Sequence, residues 1–174
     1  MKYVIDNSGM EDATAVFERL GKYAEWAAKN ALYQGAGLLA DKVNRGIMAI
    51  PAQRFKWAST RRGEPRNPSV EEKAILMEAG VGISKFEGTG SEWETTVSIK
   101  EGYWMLGKKP IAARKIAAAI NTGTSFRTKQ PFYRKAVTLA RKQVEQRMVD
   151  TLSACLDAIV NGQQMEGNEG GTSK

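Results

Sequence analysis

The chain of 174 residues is 42% apolar and 26% charged, carries a formal charge of +7, and has no histidine and one cysteine. That length suits a single domain able to bury roughly 70% of its unfolded surface. The inventory excludes an intrachain disulfide, a cysteine-cluster zinc site and a histidine-based hydrolase triad, while the positive charge favours an acidic partner: nucleic acid, an anionic membrane surface or an acidic protein face.

The opening residues, Met1 to Asp12, lack the apolar core of a signal peptide, and no apolar run approaches the ~20 residues of a membrane span. A soluble protein made in the cytosol is therefore expected. Tyr3, Val4 and Ile5 suggest a short edge strand, followed by a turn at Asp6-Asn7-Ser8-Gly9. From Asp12 to about Ile50 apolar residues recur at helical spacing: Phe17, Leu20, Tyr23 or Ala24, Ala27, Ala31, Leu38 or Leu39, Val43, Ile47 and Ile50. The pattern predicts one long helix or two in line. Gly35 and Gly37 are the expected break, since glycine costs ~1 kcal/mol in a helix interior; equally, they suit a close approach by another backbone.

Pro51 ends this helix. The basic loop at about 51–68 carries Arg54, Lys56, Arg61, Arg62 and Arg66 against Glu64 as its one acid, with Phe55 and Trp57 among the cations. Cations interleaved with aromatics suit nucleic-acid contact, but these aromatics are read as core anchors and the cations as a docking surface. Ser69 and Glu72 match a capping box that opens a short helix, and Gly80 suits its end. Val81 to Phe86 reads as a strand. So does Trp93 to Lys100, where Trp93, Thr95, Val97 and Ile99 alternate with Glu94, Thr96, Ser98 and Lys100. Together, joined by a turn expected over Glu87 to Ser91, they predict an antiparallel hairpin with one wet face.

Gly102 to Lys109 is a near miss for a phosphate-binding loop. Its intervening residues are bulky and apolar, and Lys109 stands where a magnesium-binding hydroxyl belongs. An alanine-rich helix is expected over Ile111 to Ile120. A basic turn with Gly123 leads to Pro131, which suits a helix start. The last helix is expected from about Pro131 to Val160, with Val137, Ala140, Val144, Met148, Leu152, Cys155 and Ile159 on its apolar face. Cys155 is read as a core residue, and Asp150 and Asp157 as salt-bridge partners on a basic helix. Arg127, Lys129, Arg134, Lys135, Arg141 and Lys142 cluster with no acid among them, as a surface for an anionic partner would. The polar, glycine-rich stretch 161–174 is expected to be a disordered tail. The fold class is then α+β: a long N-terminal and a long C-terminal helix packed on a small antiparallel sheet, as one domain over 1–160.

Gly123-Thr124-Ser125 and Pro131-Phe132-Tyr133-Arg134-Lys135-Ala136, set within this order of elements, resemble the tail-component family of long-tailed double-stranded DNA phages, the neck or tail-completion proteins. Thr122 and Lys135 stand where members of that family often carry an aromatic and a second proline. The resemblance implies a structural virion protein, not an enzyme and without cofactor, that forms a homo-oligomeric ring, sixfold by the family pattern, at the head–tail joint. It implies neighbouring neck, head-closure or tail-tube proteins as partners, contact with packaged DNA, and a location in the virion after assembly in the host cytoplasm. Gly123, Thr124, Pro131 and Phe132 would be its structural motif residues. Arg54, Lys56, Arg61, Arg62, Arg66, Arg127, Lys129, Arg134 and Lys135 are the candidate partner or DNA contacts. The alternative reading is a small basic nucleic-acid-binding protein using the same loop and helix.

Overall fold

A computed structural model describes residues 8–54, 65–89 and 92–162. The expected N-terminal edge strand, Phe55, Trp57 and the C-terminal tail from 163 lie outside the described residues. The elements in chain order are α1 (Ser8–Met48), α2 (Val70–Ala79), β1 (Val81–Ile83), β2 (Glu87–Thr89), β3 (Glu92–Glu94), β4 (Val97–Ile99), β5 (Tyr103–Leu106), β6 (Lys109–Ala112), α3 (Ala113–Thr122) and α4 (Phe132–Val160). The fold is α+β, two long helices packed on small antiparallel ladders. No helix among the described residues is long and apolar enough to cross a membrane.

The long helices form an antiparallel pair. Gly46 lies against Phe132, Gly35 against Met148, and Ala27 against Cys155 and Ile159. α1 begins at Ser8, so Ser8 and Gly9 belong to the helix rather than to the expected turn. It also runs through Gly35 and Gly37 without a break. Their combined helix penalty of ~2 kcal/mol is outweighed by packing along α4. Gly35 is the close approach: a Cβ there would fall 2.5 Å from Met148 Cγ. A Cβ at Gly37 would meet nothing within 4 Å, so its lack of a side chain serves no contact among the described residues. Spacing by four places Ala27, Ala31, Gly35, Leu39, Val43 and Ile47 in one row, and small residues in such a row let two helix axes come near.

The main core joins the last turns of α1 (Val43, Ile47) and Ile50 to Ile75 and Leu76 of α2, Ile99 of β4, Ile116 and Ile120 of α3, and Phe132 and Ala136 of α4. Cys155 is buried in a second cluster with Ala27 and Ile159, as expected of a core cysteine. The buried face of α4 is narrower than its sequence spacing suggests. Val137 and Leu152 are each 37% exposed, because among the described residues α1 is the main element packed along this helix, and a single neighbour hides a narrow stripe.

The predicted hairpin forms, but in two ladders, and Glu87–Thr89, expected as part of its turn, extend it as a strand. β1 pairs with β4 (Val81 opposite Ile99) and β2 with β3 (Glu87 opposite Glu94). Between them residues 84–86 oppose only 95–96, so one strand carries an extra residue, the geometry of a bulge. Ser84 holds it: its Oγ accepts from the Thr96 N–H at 2.9 Å, and Thr95 Oγ1 donates to its carbonyl at 3.0 Å. Val97 and Ile99 face the core as the alternation predicts.

The helix expected over Ile111 to Ile120 starts two residues late. Lys109–Ala112 form β6, paired with β5. Gly107 at φ +63° is followed by Lys108, and no described non-glycine residue has positive φ, which defines a two-residue hairpin turn with glycine first. The segment resembling a phosphate-binding loop is therefore a β-hairpin. Trp104, Leu106 and Ile111 pack inward on the main core, while Tyr103 and Met105 point outward at 80% and 62% exposure.

Candidate docking surfaces

Ser69 caps α2 as its sequence implies: its Oγ accepts from the Glu72 N–H at 3.1 Å and the Glu72 carboxylate accepts from the Ser69 N–H at 2.9 Å. Glu72 is buried, and it has a second task. The Arg66 guanidinium donates to both carboxylate oxygens at 3.3 Å. Arg127 donates from Nε at 3.2 Å and through Nη2 to the same Oε1. Burial alone would push the Glu72 carboxyl up, but hydrogen bonds from Arg127, the Ser69 N–H and Arg66 outweigh it and hold the group below its ordinary value of 4.5.

The backbone repeats this connection. The Arg66 N–H donates to the Phe126 carbonyl at 3.0 Å and the Thr128 N–H to the Arg66 carbonyl at 2.8 Å. Gln53 joins Pro68 and Val70 in the same way. The base of the basic loop is thus stitched both to α2 and to the turn before α4. Lys73 is likewise committed, donating to the Met48 and Ile50 carbonyls at 2.6 and 2.9 Å, where a cation satisfies the exposed carbonyls of a helix end.

These contacts divide the candidate cations. Arg66 and Arg127, separated in the chain, are brought together and occupied by Glu72. Arg54, Lys129, Arg134 and Lys135 are exposed. Lys56, Arg61 and Arg62 lie outside the described residues. Further along α4, Arg141 pairs with Glu145 at 2.8 Å. Asp150 accepts from Gln146 Nε2 at 2.7 Å, and neither Asp150 nor Asp157 forms an ion pair among the described residues. The expectation of salt bridges there is corrected: the amide of Gln146, one helical turn away, takes the acceptor.

The motif residues are structural in this fold. Gly123 ends α3 at φ +78°, its N–H donating to the Ala119 carbonyl at 3.0 Å. A Cβ there would stand 3.0 Å from Lys129 Cβ, so the turn needs both glycine's φ and its bareness. Thr124 exchanges backbone hydrogen bonds with Arg127. Pro131 occupies the N-cap of α4. Phe132 enters the core, and Tyr133 donates its hydroxyl to the Val97 carbonyl, tying α4 to β4. Burial raises the Tyr133 pKa above 10.0.

Two surfaces emerge that the charge runs did not single out. A groove of about 360 Å³ lies where the end of α1 meets the start of α4; Phe132 and Ala136 line it, as do Lys42, Arg45 and Lys135, and no acid does. Lys42 and Arg45 were hidden in a helix read only for its apolar stripe, though their spacing of three places them on one face. Leu139 beside the groove is 78% exposed. The other surface is the β2–β3 hairpin, where Glu87 and Glu94 lie directly opposite each other and both are exposed. Lys29 of α1 lies 3.8 Å above the Trp93 ring in this hairpin and pairs with Glu25. Compared with family models, curated proteins and solved structures, the chain matches none.

Proposed function

We propose that the chain is a structural virion protein of a long-tailed phage, assembling as a homo-oligomeric ring at the head–tail joint to complete the tail and connect it to the head. The observation that carries the reading is large apolar side chains left exposed outside the buried core. Tyr103 and Met105 share one face of β5, and Leu139 and Val149 stand out on α4, all more than half exposed. No described buried side-chain nitrogen or oxygen lacks a hydrogen-bond partner. Such exposed apolar patches mark interaction sites. The resemblance around Gly123 to Ala136 supplies the kind of particle, and the roles of Gly123, Pro131 and Phe132 in fixing α4 agree with a motif kept for structure.

The nucleic-acid reading loses support from the same geometry. Glu72 engages both guanidiniums and cancels one of the two charges of Arg66 and Arg127, so this part of the basic surface is weaker than the charge run implies. Gold-labelled antibody against the chain, applied to purified tailed particles and viewed by electron microscopy, tests the proposal. Label at the head–tail joint is expected; particles assembled and infectious without the chain would refute it.

A further inference from the structure

We propose that the acidic β2–β3 hairpin of one copy seats in the basic groove between α1 and α4 of a second copy, joining successive copies head to tail. The inference rests on the reading of the chain as a self-assembling ring component, and adds which surfaces meet. Glu87 and Glu94 face each other across the ladder, and like charges in directly opposed positions destabilise a strand pair. Neither forms an ion pair among the described residues. The cation that α1 brings to this hairpin, Lys29, is spent on the Trp93 ring and Glu25.

The groove has the opposite defect. Lys42, Arg45 and Lys135 converge on it with no acid lining and no ion pair among the described residues. Phe132 offers an apolar floor and Leu139 an apolar lip. A narrow two-stranded ribbon with carboxylates on both strands complements that shape and charge.

The two surfaces cannot meet within one chain. The β1–β4 ladder packs on the side of α1 that holds Ala36 and Ala40, and Lys29, which covers Trp93 of the β2–β3 hairpin, lies within about 20° of Ala36 on that same side. At about 100° per residue, Arg45 lies half a turn round the helix from Ala36. Patches that are complementary yet point in opposite directions are what a heterologous contact requires, and such a contact, repeated, closes a ring where its rotation divides a full turn.

Sedimentation of the purified chain over a concentration series tests the contact, comparing the parent with Glu87→Lys/Glu94→Lys, with Lys42→Glu/Lys135→Glu, and with all four substitutions combined. Each pair alone is expected to weaken self-association about a hundredfold or more, since like charges would then face each other across the interface. The combined chain is expected to recover it. Glu94→Lys alone serves as a control for folding: it places a lysine opposite Glu87, so the monomer should melt no lower than the parent while association still weakens. A parent that assembles, with both reversals assembling equally well or the combined chain failing to recover, overturns the hairpin–groove contact and leaves the ring reading standing. A parent that stays monomeric throughout overturns both.

Discussion

Replacing Glu72 with glutamine removes one charge and almost no volume. The Glu72 side chain is 1% exposed, and Arg66 and Arg127 are each 21% exposed. Taking one partner from a fully buried pair costs ~3–5 kcal/mol, because the remaining charge is left without compensation. The partial exposure of both guanidiniums lets water recover some of that, so ~3 kcal/mol is expected. With a urea dependence of ~2 kcal/mol per molar for a chain of this size, the unfolding midpoint should fall by ~1.5 M. Circular dichroism in urea at neutral pH measures it.

The pH dependence carries a second, independent sign. The folded carboxyl lies below 4.5, so its contribution is fully present above the unfolded value and is lost as pH falls through the lower folded one. The gap between parent and Glu72→Gln should therefore close in acid. A gap under ~0.5 kcal/mol at neutral pH, the range typical of surface changes, or one that persists undiminished in acid, would refute the assignment of Glu72 as the charge that knits the loop to the α4 turn.

Phe132→Ala should cost ~3 kcal/mol, the low end of the range for a buried aromatic, since the ring also borders the open groove; an unchanged melting temperature would show the ring is not in the core. Tyr133→Phe should cost ~1 kcal/mol for its single hydrogen bond and make stability less sensitive to alkali. The raised Tyr133 pKa means that its share is present below pH 10.0 and is lost as pH rises through the higher folded value. Titrating both chains toward high pH by fluorescence checks this, and identical profiles would contradict it. Gly35→Ala should destabilise by ~1–3 kcal/mol through overpacking against Met148, despite alanine's better helix propensity. Adding Met148→Ala should recover part of that loss in a double-mutant cycle; simple additivity would mean the helices are not in contact there.

The parts legible in the sequence were those governed by neighbours along the chain. Ser69 and Glu72 announced a cap, Gly80 a helix end, and Trp93 to Ile99 an alternating strand, because each depends on residues a few positions apart. Gly35 misled as a break because propensity counts the helix alone, and α4 decides the outcome. The hairpin at Tyr103 to Ala112 was hidden by the glycine–lysine spelling of a phosphate loop; the better signal was a glycine-led two-residue turn between β-forming residues. Glu72, Arg66 and Arg127 form one cluster only after α2 and the turn before α4 are packed together, so no local pattern reveals it. The bulge at Ser84 needs the register of both strands, and the groove cations were masked by a helix read for its apolar stripe.

The central claim is that copies of this chain dock on one another. Sedimentation velocity of the purified chain across a wide concentration range tests it most directly. The account predicts species at a closed multiple of the 19.1 kDa chain, weakening as salt screens the groove and hairpin charges. A single 19.1 kDa species at every concentration and ionic strength would contradict it.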